Sequence, residues 1–497
     1  MNYELALEQI EKSLSTNTLN NSALVLKAGI LRKLGRTEDE KKILEPLAIT
    51  DPLDFRTGYE LYLLANIDGE TEESAGLLSE LQVKMRGFVQ NYRELAAGYL
   101  NDGFPAEAEE ILKRYPYENP MVSYWLGYLQ DKRGDNLGVE SNFAKASAMP
   151  TDYVFPFRME DEKVLEKVIE YHPQDAVPNY YLGNLLYDKQ PQRAIEYWEK
   201  AVKLDPLMSI AWRNLGWGYN YHLNDIQKSI AAYEKAFSLK KDEPVYYAEL
   251  DVLYEQSNTP LATRAKLFES AHDVVKQRDD AFVRQIMVLN LTGQAEKSVE
   301  YLENSNFHFR EGSSRISDMT VDARLLLGNQ LMKEGKFQAA LDQFLATINR
   351  EAEDERAGAR DPQINYFIAL AYDALGEKEK AKSYLEKSVG QNLSRTGMIS
   401  YYQGLSWQKL GNRQKSNEIF RKLVDEGTQM LKSNAEPDFF AKFGERSTGN
   451  ARLSNARLLV GLGYKGLGET GKAKENLKQS VDFSVSNLWA GVELKGL

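Results

Sequence analysis

The chain of 497 residues contains no cysteine, which excludes disulfides and thiolate metal sites. Histidine is nearly as scarce. His172, His222, His272 and His308 include no pair four residues apart and no HExxH, so no structural zinc is expected, nor any other metal or cofactor. No window approaches the ~18 uninterrupted apolar residues of a membrane helix. Positive charge is short as well: 62 Lys+Arg stand against 73 Asp+Glu, a net charge of −11. Such a chain repels a phosphate backbone, so nucleic acid and membrane are both poor partners. The opening MNYELALEQIEKSL carries Glu4, Glu8 and Glu11, unlike a signal or transit peptide, and a cytoplasmic location is expected.

What is present is 42% hydrophobic and 27% charged residues at a mean hydropathy of −0.51, the balance of a water-exposed chain with a core. The charge is uneven. Residues 1–200 hold 22 basic against 34 acidic side chains, whereas residues 401–497 hold 15 against 10.

The stretch GLGYKGLGETGKA (461–473) fits two nucleotide motifs at once, GxGxxG and GxxxxGK. A dinucleotide fingerprint must follow a strand, but ARLSNARLLV before it has apolar residues at helical spacing. A phosphate loop wants Ser or Thr after its lysine, and Ala473 stands there.

An internal repeat explains the glycines better. Ala176–Pro206 and Ser209–Leu239 both run aromatic, Leu-Gly, tyrosine, turn, then a small residue, an aromatic and a second small residue. The markers are Leu182, Gly183, Ala194, Trp198, Ala201 and Pro206 in one, and Trp212, Leu215, Gly216, Tyr219, Ser229, Tyr233 and Ala236 in the other. Small residues let two helices of a hairpin approach, aromatics fill the gaps between successive hairpins, and proline stops the second helix. The pattern recurs at Ala28–Pro52, Ala96–Pro120, Leu126–Ala146, Leu327–Phe344, Ala369–Ala381 and Gly404–Phe420, and more weakly over 55–88, 244–276 and 279–303. In the 244–276 unit Asp251 replaces the expected glycine. On this template Gly461 is a helix contact and Gly468 an inter-helix turn.

This pattern resembles the tetratricopeptide repeat, about 34 residues and two antiparallel helices per unit. The resemblance implies an all-α superhelical solenoid of about a dozen helix pairs, here divided as 1–150, 151–350 and 351–497. The segments YVFPFR, NYYLGNLLYDK, WRNLG, RDD (278–280) and FHFREGS further resemble the helical half of a bacterial family in which such an array follows a β-rich domain. Residues 3–14 look like the second helix of a hairpin, which suggests a fragment of something longer, with an N-terminal cap as the alternative.

Interruptions stand out against the repeat. TDYVFPFRMEDE (151–162) is expected to bury Tyr153, Phe155 and Phe157 ahead of a single helix at about 160–171. SNFHFREGSSRISD (305–318) is a long loop whose His308, Arg310 and Glu311 are candidates to reach a ligand. REAEDERAGARD (350–361) reads as an exposed helix end with its linker, and residues 432–454 as an insertion between repeats.

On the first helices, one face presents Tyr180, Asn184, Tyr187 and Asp188, and the next Arg213, Trp217, Asn220 and Tyr221. Aromatics with amides suit an extended peptide or a sugar, while Tyr181 and Trp212 read as packing. The family's carboxylate clamp would need basic residues where Tyr180, Val245 and Glu249 stand, although Asn184 and Asn214 fit its asparagines. The expected function is a monomeric, non-enzymatic scaffold that binds protein, peptide or its own upstream domain. The alternative is the helical part of a carbohydrate-binding or carbohydrate-active protein. No catalytic residue is assigned.

Overall fold

The computed structural model describes residues 2–305, 314–348, 360–433 and 449–497, and these form two compact units, Met1–Ala211 and Trp212–Leu497. Among the described residues there are twenty-eight helices and no strand. No helix there is long and apolar enough to cross a membrane.

Each unit is built from helix hairpins, and five of them share a close contact made by one residue type. Gly127, Gly183 and Gly216 are each the eighth residue of their helices, Pro120–Asp131, Ala176–Leu186 and Ser209–Tyr221. A methyl group placed on Gly183 would lie 2.3 Å from the Trp198 ring, and one on Gly216 would lie 2.3 Å from the Tyr233 ring. Gly127, Gly328 and Gly404 meet Phe143, Phe344 and Phe420 in the same way, at 2.5, 2.2 and 2.4 Å. These aromatics therefore sit on the glycine of their own hairpin, rather than chiefly between hairpins as the pattern suggests. Phe420 does both, since Gly466 of the following hairpin also lies against its ring.

Replacing Gly183 or Gly216 with leucine should cost ~1–3 kcal/mol or more by overpacking. Gly468→Ala meets no atom within 4 Å, but its φ of +81° puts alanine in the left-handed region, at ~1 kcal/mol. Chemical denaturation of the three variants checks the ranking; equal losses would contradict it.

The GLGYKGLGETGKA segment is not a phosphate cradle. Gly461, Gly463 and Gly466 belong to the helix Gly449–Gly466, where they admit Leu477, Val424 and Phe420. With a helix in place of the strand, the backbone amides are spent within the helix.

The 151–159 segment departs from expectation. Val154 and Pro156 are buried, whereas Tyr153 is 92%, Phe155 68% and Phe157 42% exposed. Tyr153 stands in a turn at φ +59°, and beyond it successive side chains alternate sides, so Phe155 and Phe157 share the outward side. Buried Asp161 pins the segment, accepting the Phe157 and Arg158 amides at 3.0 Å, the Trp125 indole N–H at 2.8 Å and the Arg93 guanidinium. The single helix that follows spans Glu160–Tyr171.

The second unit closes on itself. Asn258 donates to the Asp482 carbonyl at 2.8 Å and accepts the Val485 amide at 2.7 Å. Arg264 donates to Ser486 Oγ at 2.5 Å, and the Trp489 indole donates to Asp322 at 2.9 Å. A stack held only by neighbours has no such contacts over more than 150 residues.

Candidate functional site

The two predicted helix faces lie in different compact units. In the first, the helix Ala176–Leu186 begins at Asp175, whose side chain accepts the Val177 amide. Its eighth-residue glycine brings Trp198 close, and that ring then claims part of the predicted face. Asn184 Oδ1 accepts the Trp198 indole N–H at 3.0 Å, and Tyr187 lies against Trp198 at 5.3 Å. Tyr180 is buried beside Tyr181, only 6% exposed, so it offers little surface to a ligand. Its apolar ring follows the burial that aromatic residues of repeat helices generally show.

In the second unit the helix Ser209–Tyr221 carries a continuous ladder at four-residue spacing. The Arg213 guanidinium lies 5.3 Å from the Trp217 ring centroid, and Trp217 stacks on Tyr221 at 4.2 Å with 29° between planes. Trp217 and Asn220 are half-buried and Tyr221 is 41% exposed. Arg213 also donates from Nε to Glu249 at 2.8 Å, with a second bond from Nη2 to the same carboxylate. Such a bidentate pair fixes the guanidinium plane, and with it the cation–π contact on the indole. Glu249, at a basic position of the carboxylate clamp, is thus negative and already engaged within the chain. Opposite charges one repeat apart, at 213 and 249, were the signal for this pair.

His308, Arg310 and Glu311 lie outside the described residues, as do 349–359 and 434–448, most of the two charged and polar insertions. What the sequence pattern did not indicate is the closure by residues 482–489, because each contact there is a single polar side chain in an otherwise repeat-like hairpin.

Tetratricopeptide-repeat family models match residues 182–244 and 362–394. The chain is similar to Tetratricopeptide repeat protein 37 of Xenopus laevis, 27% identical over 223 residues, which are 44% of this chain and 14% of that protein. It thus spans about one-seventh of that relative's length. Among solved structures, YrrB, described as a TPR protein with an unusual peptide-binding site, is 16% identical, covers 46% of this chain and 92% of its own, and has a TM-score of 0.26. MamA from Desulfovibrio magneticus RS-1, residue 41 to its end, is 24% identical over 38% of this chain and 95% of its own, with a TM-score of 0.23. The family matches fall on hairpins with the glycine-on-aromatic packing or its register, and so the chain carries tetratricopeptide repeats.

Proposed function

We propose that the protein is a non-enzymatic scaffold that binds protein or peptide segments. The observation that carries this reading is the Arg213–Trp217–Tyr221 ladder: stacked, held by Glu249 and part-exposed. Rigid aromatic surface costs little conformational entropy on binding, and Trp, Tyr and Arg dominate the energetics of protein contacts. Asn220 beside the ladder supplies an amide for an extended backbone, and Asn184 and Tyr187 on the first unit's helix are further candidates. The same reading fits the outward aromatics of 153–157, since large exposed rings on a pinned segment mark contact surfaces.

The test is affinity for partners captured by the full chain. Trp217→Ala should cost ~2 kcal/mol or more, roughly thirtyfold in Kd. Tyr221→Ala should weaken binding less, because it removes the outer ring of the stack. Unchanged capture by both variants, with loss on Phe155→Ser, would move the contact to the first unit's loop and overturn the ladder assignment.

A further inference from the structure

Inside the second unit lies a cavity of about 230 Å³ that neither the repeat pattern nor the ladder accounts for. It opens between the helices Pro244–Gln256, Asp279–Leu291 and Ser314–Lys333 and the closing segment at Ser486 and Leu488. Its described lining holds three carboxylates, Glu255, Asp318 and Asp322, and no cationic side chain. Met287 and Met319 supply apolar wall, in a side chain that adapts its shape to what it meets.

The carboxylates are oriented from behind. Arg284 donates to Glu255 Oε2 at 2.6 Å, and Arg360 and the Trp489 indole both donate to Asp322 Oδ1, at 2.7 and 2.9 Å. Since both bonds to Asp322 fall on one oxygen, Oδ2 keeps its accepting capacity for another donor. Burial acts against the ionised form of Glu255, but Arg284 and Arg264 hold its carboxyl below the usual carboxylate range.

A second observation points the same way and does not depend on charge. Asn290 is 3% exposed and lines this cavity. Its Nδ2 donates to the Met319 carbonyl at 3.2 Å, which fixes the amide, and its Oδ1 has no hydrogen-bond partner. A buried acceptor left unmet costs ~1–3 kcal/mol, so such an atom at a cavity wall is a place for a donor.

We infer that this cavity binds the guanidinium group of an arginine side chain from a protein segment, with Asn290, Asp322 and Glu255 as acceptors and Met287 and Met319 along the alkyl stem. The acceptors come from three different helices, and a planar fork of five N–H donors reaches separated acceptors better than an ammonium does. The volume admits one long side chain and not a folded element. The inference stands apart from the ladder on the helix Ser209–Tyr221, and its test uses a free probe, so either can fail alone.

The experiment follows the methyl resonances of the eleven methionines in the full chain during titration with N-acetyl-arginine amide. Saturable shifts are expected at Met287 and Met319. N-acetyl-citrulline amide, of the same shape without the charge, should bind at least tenfold more weakly, and N-acetyl-lysine amide should fall between them. Asn290→Leu should weaken the arginine probe at least tenfold while distant methionines keep their resonances. Should that variant fail to fold, Met319→Trp, which fills the cavity from the other wall, must have the same effect. No saturable shift at Met287 and Met319, an equal response to citrulline, lysine binding as tight as arginine, or full affinity in the variants would each overturn the assignment.

Discussion

Asp251→Ala should destabilise the second unit by ~3–5 kcal/mol, because it removes the carboxylate that two buried guanidinium groups share and leaves Arg264 without its ion pair. The Asp251 carboxylate has no exposed surface, and neither does Arg264. It accepts from Arg264 at 2.7 and 2.9 Å and from Arg284 at 2.6 Å, while Arg284 also donates to the Asp251 carbonyl at 3.1 Å. Asp251 is the eighth residue of its helix, Pro244–Gln256, the place that Gly127, Gly183 and Gly216 hold in theirs. Where five other hairpins seat an aromatic on a glycine, this one seats arginines on an aspartate. The loss should spread, because Arg264 also holds Ser486. Hydrogen exchange at the Val485 amide, which donates to Asn258, should accelerate along with the fall in the denaturation midpoint. Replacing all three charged residues by apolar ones of similar volume, together with Glu255→Gln because Arg284 also pairs with Glu255, should cost far less than Asp251→Ala, since no charge of the cluster is then left unpaired. Unchanged exchange at Val485 and an unchanged midpoint in Asp251→Ala would show that the triad is not what holds the irregular unit.

The helix pairs were legible because small residues and aromatics recur at fixed offsets, but the pattern set the aromatics between hairpins, whereas Gly183, Gly216 and Gly404 each meet a ring of their own hairpin. The single helix after residue 159 was legible from its own apolar spacing. The outward turn of Phe155 and Phe157 was also written in the sequence, as an alternation of period two, but hydrophobicity alone argues for burial and so points the wrong way. Asp251 showed as an irregularity without its meaning, since its partners are 13 and 33 residues away and nothing local pairs them. The predicted face was read without its internal partners. Trp198 binds Asn184, and Glu249 binds Arg213, and each bond depends on which way a neighbouring helix turns its side chains. Closure by residues 482–489 was invisible for the same reason.

In the first unit, stability should fall as pH rises from about 4.5 to 8, and one buried carboxyl should account for much of it. Glu40, on the helix Thr37–Thr50, has no exposed surface, and neither of its oxygens has a hydrogen-bond partner. The nearby cations are taken. Arg32 donates to Glu60 at 2.7 Å and to Glu107 at 3.0 Å, and Lys33 pairs with Glu107 at 2.6 Å. Three carboxyls thus face two cations, and the one whose oxygens have no hydrogen-bond partner keeps its proton. Burial, reinforced by the Glu60 charge, pushes Glu40 up to about 8. Between the ordinary carboxyl range and that value the folded chain binds a proton that the unfolded chain has released, so raising the pH favours unfolding. Below that range the penalty is absent, and above about 8 it is complete. At ~1.4 kcal/mol per pH unit, it amounts to at most about 5 kcal/mol. Glu40→Met keeps the side chain's length and removes the titrating group, so its unfolding free energy relative to the parent should climb by up to that amount between pH 4.5 and 8. Glu40→Gln should show the same slope from a lower starting value, because its amide brings donors that the site does not satisfy. Denaturation of the parent and both variants at a series of pH values reads the slope directly. A difference that stays flat across the range would mean that Glu40 finds a partner in solution.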